Sequence, residues 1–510
     1  MLEIYSLLVR QRAIGKTIRL SVMVLVLLMP CPFVSAQTGN DWIDYDQVYL
    51  KIKTGKDDLY RVEYEALLNM GFPIEGVNPD YFQLYHRGRQ VAIEVMDNND
   101  GSFDAGDYLD FFGQRNDGVS DVELFDEPRD QIHQYYNLFS DTTAFFLTIS
   151  TSQPGKRIPL SDLSMEGLEV RTSHQEEILK VYTSEFSFGQ YYPIGNPQGE
   201  TKLSKYDAGQ MFVSDTIMRN EFTLRSGKTF RDFIIDDIRL PVTGDGKPRL
   251  EVQVVGFNNR QHNVSIHVGP DTENLRMVKR DLRFNFSNNI KPETQIEWSD
   301  VSAQGRLVVR VEAVGFPEIP DDRVAVGYIQ LDYPQETDMQ SADEKFLYLP
   351  PASAGNNQLV EIENVQGTIA VYDITDYLNP VKLSVTMDGN SGFVVLAENQ
   401  VSRKLLVRRT DETASVKRLL RPKLENVSFR FKEVSGRNYI IISHSFLRSC
   451  VGCVYEDPVQ AYIDYRGSAA GGGYNVLYAD INELFNEFNY GEFSPLIAKG
   501  LNSTTENLAP

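Results

Sequence analysis

Between residues 41 and 436 the chain is a succession of short strand-like runs separated by turn residues, and this pattern constrains the fold more than any other feature. The clearest runs are residues 48–52, 81–85, 91–95, 144–150, 230–235, 249–256, 264–268, 306–314, 345–349, 368–372 and 393–396. Residues 87–90 have the composition of a hairpin turn, and residues 63–70 form the one helical pattern in the first 150 residues. Short strands at this spacing predict antiparallel, sandwich-like β domains.

The pattern changes at about residue 437. Residues 439–443 are an unbroken apolar run, which is typical of a strand buried on both faces of a sheet. Asp457 and Pro458 then supply an N-cap and a first-turn proline, and apolar residues recur at helical spacing up to Ala470 and the glycines 471–473. A second strand, 475–479, precedes a helix that opens with a capping box at Asp480 and Glu483. This order predicts parallel strands, the beginning of an α/β domain.

A chain of 510 residues is too long for a single hydrophobic core. Shifts in composition divide it into a signal peptide (1–36), an N-terminal β-rich domain (37–155), a β-sandwich domain (156–335), a second β-rich domain (336–436) and a partial α/β domain (437–510). The predicted fold class is therefore mainly β, followed by the start of a parallel sheet.

The first 36 residues have the order of a secretory signal. Basic residues precede an apolar run over 20–29, and Ala36 ends a small-residue cleavage site. The apolar run is too short to cross a hydrocarbon layer of about 30 Å at about 1.5 Å per residue. We therefore expect cleavage after Ala36, no membrane span beyond the signal peptide, and an exported protein in the periplasm, on the outer cell surface or in the medium.

The charge balance excludes several functions. Lys and Arg total 50 against 71 Asp and Glu, so the formal net charge is -21. Sequence-independent binding to nucleic acid or anionic lipid needs a basic surface, so neither is expected as a partner. Three Cys and six His are too few for a disulfide scaffold or a multi-zinc protein.

Several segments together resemble a known family. YIII at 439–442, DPVQAYIDYR at 457–466, GYNVL at 473–477 and FNYGEFSP at 488–495 look like the start of a gingipain-type cysteine peptidase domain. DNNDGSFDAGDY at 97–108 and VYDITDYLNP at 371–380 are similar to the N-terminal region of the sortase branch of that family. The resemblance implies a caspase-like α/β peptidase fold, and a sortase that removes the C-terminal signals of type IX secretion cargo.

The resemblance also implies that the family's catalytic His and Cys lie beyond the first two βα units, in segments that this sequence does not contain. No catalytic residue is therefore assigned. We expect the N-terminal part of a secreted cysteine endopeptidase, as a fragment, a frameshifted product or half of a split gene, with protein cargo or secretion-machinery components as partners. The alternative is an exported β-domain binding or assembly protein without peptidase activity, or a set of carbohydrate-binding modules.

Cys450 and Cys453 have C-x-x-C spacing, which is found in redox pairs because it can lower a thiol pKa. A local disulfide, or an incidental pair in an oxidising compartment, accounts for the same spacing. A metal site would need two more ligands, and His444 is the only one nearby. We expect His444 to be a core or edge residue of its strand.

The acidic turn at 97–107 is a candidate cation site. Asp97, Asn99, Asp104 and Asp107 carry the oxygen ligands that Ca²⁺ takes. Gly101 is fifth in the run, so the EF-hand pattern is not matched. A solvated Asx/Gly turn accounts for the same residues.

Aromatic residues around Gly189 and Gly195 form the last candidate surface. Phe186, Phe188, Tyr191 and Tyr192 would suit a sugar or partner platform, but core strands with a packed loop more often account for such residues. The motifs G-x-S-x-G, H-E-x-x-H and the phosphate-binding loop are absent from the sequence.

Overall fold

The computed structural model describes residues 40–98, 100–125, 127–189, 206, 208–319, 321–351, 356–398, 401–411, 419–429 and 436–494. The predicted signal peptide, Asn99, Tyr191, Tyr192, Gly195 and residues 495–510 lie outside these ranges. Among the described residues, no helix has the length and apolar composition that crossing a membrane requires.

The strands of the first part are β1 (Tyr49–Thr54), β2 (Asp58–Glu63), β3 (Phe82–His86), β4 (Arg89–Val91), β5 (Glu94–Met96), β6 (Tyr108–Gly113) and β7 (Thr143–Ile149). The strands of the middle part are β8 (Leu160–Ser161), β9 (Val170–Arg171), β10 (Ser173–Val181), β11 (Glu185–Phe188), β12 (Gln210–Val213), β13 (Ile217–Arg219), β14 (Phe230–Ile235), β15 (Arg249–Gly256), β16 (Gln261–Gly269), β17 (Arg276–Asn285), β18 (Asn289–Ile290), β19 (Glu293–Gln295), β20 (Leu307–Ala313) and β21 (Asp322–Glu336). The remaining strands are β22 (Glu344–Leu349), β23 (Gln358–Ile362), β24 (Ile369–Asp373), β25 (Val381–Leu383), β26 (Thr386–Asp388), β27 (Ser391–Leu396), β28 (Arg403–Arg409), β29 (Lys423–Val427), β30 (Asn438–Ser443) and β31 (Asn475–Asp480). The helices are α1 (Tyr64–Asn69), α2 (Glu221–Ser226), α3 (Pro458–Gly467) and α4 (Ile481–Phe488).

The N-terminal core lies between two antiparallel sheets, of order β29-β1-β7-β3-β4 and β2-β6-β5. Their inward side chains form one apolar cluster that includes Leu50, Phe82, Phe111 and Phe145. The edge strand β29 comes from residues 423–427 and pairs antiparallel with β1, Val427 opposite Tyr49. A late segment of the chain thus completes the first sheet.

Two further pairs of sheets follow. The sheet β10-β21-β15-β18, which also contains β13 and β19, packs on β14-β20-β16-β17 around the largest apolar cluster. The sheets β22-β28-β24-β25-β8 and β26-β27-β23-β9 enclose a third core. The predicted mainly antiparallel β fold is confirmed. Because β8, β9 and β29 pair across the boundaries drawn from sequence, strand pairing alone does not define the domains, and that division stays a prediction.

The α/β unit, residues 436–494, contains two parallel strands, β30 and β31, as predicted. The prediction that residues 439–443 are buried on both faces is wrong, because Ile440 and Ile442 are 67% and 49% exposed. Among the described residues, β30 pairs with β31 alone, and these two side chains stay largely exposed. Helix α3 also ends at Gly467, before the predicted glycine stop.

The predicted strand 91–95 is split between two sheets. Val91 ends β4 in one sheet and Glu94 begins β5 in the other, so the run forms a corner. Between them, Ala92 N–H donates to the Leu378 carbonyl and Ile93 N–H to that of Lys156. The predicted hairpin turn before this corner is present, with positive φ at Arg87 (46°) and Gly88 (73°). Two successive left-handed residues match the twist of a two-residue hairpin.

Candidate functional site: where the α/β unit docks

The α/β unit contacts the N-terminal sheet through residues 486–494, here called the docking segment. Its helix α4 begins where the Asp480 carboxylate accepts the Asn482 N–H at 2.8 Å. After the helix, Tyr490 (φ 53°) and Gly491 (φ 75°) are left-handed, and Gly491 N–H returns to the Phe485 carbonyl at 2.8 Å. This tight helix end turns the chain towards β1, β3 and β7.

Glu492 is the centre of the contact. Its side chain is 5% exposed, and Oε1 accepts Arg87 Nε at 2.8 Å and Thr143 Oγ1 at 2.7 Å. Arg87 also donates to Asn116 Oδ1 at 3.0 Å and Asp117 Oδ1 at 3.2 Å. A buried carboxylate is tolerated only when it is paired and hydrogen-bonded, and Glu492 meets both conditions.

A chain of hydrogen bonds continues from this ion pair to Tyr377, in the loop that follows β24. Thr143 Oγ1 donates to Glu492, so it accepts from His86 Nε2 at 2.8 Å. Nε2 therefore carries the imidazole proton, and Nδ1 accepts the Tyr377 hydroxyl at 3.0 Å. The neutral form of the imidazole is favoured because the pKa of His86 lies well below its usual value. Burial is the main cause, and the positive charge of Arg87 adds to it. Residues far apart in sequence thus form one polar network.

Lys51 forms a second polar contact with the docking segment. The residue is 6% exposed, and Nζ donates to Asn486 Oδ1 at 2.7 Å and to the Gly491 carbonyl at 3.0 Å. Burial first, and the neighbouring charge of Lys53 second, lower the pKa of Lys51 to about 8. The ammonium group is therefore held by dipoles more than by a paired carboxylate.

Aromatic packing surrounds these polar contacts. A Cβ built on Gly88 would lie 2.9 Å from the Tyr490 ring and 3.2 Å from that of Trp42, so the turn fits between the two rings. Trp42 also contacts Phe146 at 4.9 Å between ring centroids. The Tyr45 hydroxyl donates to Glu487 Oε1 at 2.6 Å. The surface combines apolar contact with hydrogen-bonded charges, which suits a fixed interface between two parts of a protein.

The charges of the docking surface are satisfied within it, so their role is positioning. Burial disfavours the charged form of Arg87, but the carboxylates of Glu492 and Asp117 outweigh it and raise its pKa above the usual value. Burial raises the pKa of the nearby Asp121 to about 7. Asp121 accepts Asn137 Nδ2 and the Leu138 N–H, each at 2.8 Å.

The structure places the predicted calcium ligands in a turn whose carboxylates bond to the turn itself. Asp107 is buried, and its carboxylate accepts Asn98 Nδ2 at 2.8 Å and the Asp104 N–H at 2.7 Å. Asp97 and Asp104 lie on the same turn, and Asn99 is outside the described residues. The candidate calcium site therefore stays a prediction, and the solvated turn stays its alternative.

Cys450 and Cys453 are joined in a disulfide, so neither sulfur is a thiol. His444 begins a short 3₁₀ turn, Ser445–Arg448, where its Nδ1 accepts the Phe446 N–H at 3.0 Å. This places His444 at the end of β30, half-buried and in contact with Asn482 at 3.3 Å. The aromatic residues Phe186 and Phe188 lie on β11, where Phe186 packs on Phe212 of β12.

Sequence reasoning missed one cluster of acidic groups. Carboxylate oxygens of Glu336, Asp338 and Glu363 lie within 4.8 Å of one another. Lys345 Nζ donates to the backbone carbonyl of Asp338 at 2.8 Å, and this cation offsets part of the negative charge. Sequence reasoning also missed the pairing of Arg87 with Glu492, because neither residue has a local pattern that identifies its partner.

No family model and no curated protein matches the sequence. Among solved structures, the chain is similar to dimeric latent PorU from Porphyromonas gingivalis, with a TM-score of 0.57 and 13% identity over 92% of this chain and 41% of that one. It also aligns with the VP2 subviral particle of infectious bursal disease virus, with a TM-score of 0.19 and 9% identity over 71% of this chain and 63% of that one. A carbohydrate-binding module specific for non-crystalline cellulose aligns with a TM-score of 0.15 and 10% identity, over 31% of this chain and 96% of the module. Scores this low carry no argument. The chain spans about two fifths of the PorU chain, and the two share a fold.

Proposed function

We propose that this chain is the N-terminal, non-catalytic part of an exported gingipain-like cysteine endopeptidase, of the branch that processes the C-terminal signals of type IX secretion cargo. Its β domains form a scaffold that holds the first βα units of a peptidase-type domain. Two findings support the proposal: the quoted sequence motifs, and the fold shared with PorU over 92% of the chain.

The observation that carries the proposal is the docking of residues 488–494. This segment belongs to one of the motifs that resemble a gingipain-type peptidase domain. Its Glu492 forms a buried ion pair with Arg87, which follows β3 of the N-terminal sheet. A motif that packed against no other part of the chain would be exposed to solvent. Here it is buried against β domains whose own motifs resemble the same family.

The exposed strand β30 supports the same proposal. Ile440 and Ile442 expose 67% and 49% of their surface on a sheet of two parallel strands. Parallel sheets are stable when both faces are covered, so these side chains are of the kind that further βα units bury. We therefore propose that additional parallel strands complete this unit.

The chemistry that the resemblance implies is acyl transfer by a Cys thiolate assisted by His. The disulfide between Cys450 and Cys453 leaves no thiolate on either residue. We therefore place the nucleophile in the polypeptide that completes the α/β domain. This chain would supply the position and orientation of that domain.

The test begins with the DNA beyond codon 510, read in all frames for βα segments that carry His and Cys. The encoded polypeptide is coexpressed with this chain, and the complex is assayed for removal of the C-terminal signal from a type IX cargo protein. We expect a complex that cleaves the cargo and is recovered in lower yield with Glu492→Ala. Glu483→Gln, an exposed change on the preceding helix α4, serves as the matched control.

Absence of such segments, together with no cleavage, would contradict the proposal and favour an exported β-domain binding or assembly protein. Export itself is tested by N-terminal sequencing of the protein from cell fractions. Cleavage after Ala36 predicts Gln37 as the first residue of the exported form.

A further inference from the structure

The disulfide between Cys450 and Cys453 lies in the loop that joins β30 to α3. Neither cysteine takes part in the docking contacts of Glu492 and Lys51, so the pair is separate from the proposed function. The C-x-x-C spacing is found both in redox pairs and in local staples. The surroundings of the two sulfurs distinguish these alternatives.

The disulfide is open to an attacking thiol at its Cys453 end. Cys453 is exposed, whereas Cys450 is half-buried. Between them, Val451 is 100% exposed, and Gly452 turns the loop with a φ of 81°. A Cβ built on Gly452 would meet no described atom within 4 Å apart from its chain neighbours. Cys453 is therefore the more approachable half of the bond, and Cys450 is placed to be the leaving group.

The loop is closed without the disulfide. Cys450 N–H donates to the Glu456 carbonyl at 2.9 Å. Arg448 Nε donates to Asp457 Oδ2 at 2.8 Å, and Arg448 Nη2 donates to Gln460 Oε1 at 3.0 Å. Asp457 also caps α3 by accepting the Gln460 N–H at 2.8 Å. Because these bonds hold both ends of the loop, breaking the disulfide leaves the two sulfurs as neighbours that can pair again.

The disulfide also contributes little to the stability of the fold. A disulfide stabilises a protein mainly by restricting the unfolded chain, and this effect grows with the length of the loop that it closes. Here the two cysteines are three positions apart, with Cα atoms 5.6 Å apart. Such a bond restricts only the residues between them. Exposed disulfides belong to the labile, regulatory or catalytic class, whereas structural ones resist reduction.

We infer that Cys450 and Cys453 form a redox-active pair that exchanges with external thiols while the rest of the chain stays folded. A thiolate of the reductant attacks Cys453 Sγ, the bond to Cys450 Sγ breaks, and Cys450 leaves as a thiolate that takes up a proton. A second thiolate of the reductant then attacks the reductant's sulfur in this mixed disulfide and releases Cys453, which is protonated likewise. Two electrons thus pass from two thiols, which become a disulfide, to the cysteine pair.

The test uses the purified full-length protein in glutathione buffers of rising reducing strength. Free thiols are trapped with iodoacetamide and counted by mass spectrometry in the peptide that contains both cysteines. A second arm replaces glutathione with reduced thioredoxin, which distinguishes a small-molecule reductant from a protein dithiol. We expect the doubly alkylated peptide to form with at least one of them. Amide hydrogen exchange in α3 and β31 should then stay within about twofold of the rates in the oxidised protein, because the loop ends are held independently.

Two variants test which sulfur is attacked. Cys450→Ser leaves the exposed thiol, and Cys453→Ser leaves the half-buried one. We expect Cys450→Ser to form a mixed disulfide with oxidised glutathione at least about tenfold faster than Cys453→Ser, because thiol–disulfide exchange depends on access to the sulfur. Ser449→Ala, an exposed change beside the pair, is the matched control and should behave like wild type in the glutathione titration.

A pair that stays oxidised with both reductants would overturn the inference. So would a reduction that opens α3, since the disulfide would then be a structural staple. Equal rates in Cys450→Ser and Cys453→Ser would overturn the assignment of Cys453 as the attacked residue. The titration of the unsubstituted protein keeps the inference testable if either cysteine variant fails to fold.

Discussion

The sharpest test of the docking surface is Glu492→Ala. The substitution removes the acceptor of Arg87 Nε and Thr143 Oγ1, both buried against the docking segment. Arg87 keeps Asp117 and Asn116, whereas Thr143 loses the group that orients its hydroxyl. The change therefore leaves a guanidinium partly paired, and a hydroxyl without its acceptor, in a largely buried site.

The free energy lost in Glu492→Ala follows from the burial of the Arg87–Glu492 ion pair. Removing one partner of a buried ion pair costs about 3 to 5 kcal/mol, because the remaining charge stays desolvated. Arg87 is 19% exposed and retains a second carboxylate, so we take the lower value, about 3 kcal/mol. At about 1.4 kcal/mol for each factor of ten, local opening of the docking segment becomes roughly 100-fold more frequent.

Hydrogen exchange measures this opening directly. We expect backbone amides of residues 486–494 to exchange roughly 100-fold faster in Glu492→Ala, whereas amides of the sandwich core at β15 and β20 keep their wild-type rates. Glu492→Gln retains one acceptor oxygen, so its exchange rates across residues 486–494 should lie between those of wild type and Glu492→Ala. Glu483→Gln should match wild type.

A double-mutant cycle with Arg87→Gln separates the ion pair from other effects of the substitution. We expect a coupling energy of at least about 1 kcal/mol between Arg87 and Glu492. Unchanged exchange across 486–494 in Glu492→Ala, in a protein whose core exchange is normal, would refute the reasoning that Glu492 holds this segment.

Three further predictions concern titration and calcium. Burial lowers the pKa of Lys51 from 10.5 to about 8 in the folded protein. Between pH 8 and pH 10.5, Lys51 is therefore protonated in the unfolded chain but not in the folded one. The free energy of unfolding should then rise with pH over this range. Urea midpoints should show a shallower rise in Lys51→Met, and an identical slope would contradict the buried ammonium. Asp121 should change stability with pH in the opposite direction, because its pKa is about 7 in the folded protein and 3.8 ordinarily. The free energy of unfolding should fall as the pH rises from 3.8 to 7, and it should fall less steeply in Asp121→Asn. For the acidic turn, we expect added Ca²⁺ to leave the thermal midpoint nearly unchanged, because Asp107 already accepts two hydrogen bonds. A rise of several degrees that Asp104→Asn abolishes would instead establish a calcium site.

Much of the strand content could be predicted because its signals are local. The predicted bounds 230–235 and 249–256 are those of β14 and β15, where alternating apolar residues lie between turn residues. The start of α3 was also correct, since Asp457 accepts the Gln460 N–H and Pro458 occupies the first turn. Such signals act within a few residues and need no knowledge of the rest of the fold.

Burial and pairing were less predictable, since both depend on what the fold brings near. The run at 439–443 has the composition of a doubly buried strand, but Ile440 and Ile442 are exposed because the described part of the chain supplies no cover. Likewise, Lys423–Val427 gives no sign that it completes the N-terminal sheet opposite Tyr49. A strand of this length can pair with many others at similar local energy.

By itself, the sequence determined the antiparallel β character, the change to parallel βα order near residue 437, and the motifs that resemble a peptidase family. These follow from periodicity, caps and turns, which are properties of neighbouring residues. Only the tertiary structure decided that Glu492 meets Arg87 and that His86 joins Thr143 to Tyr377. Those contacts join residues up to several hundred positions apart, and their energy appears only when the assembled sheets exclude water around them.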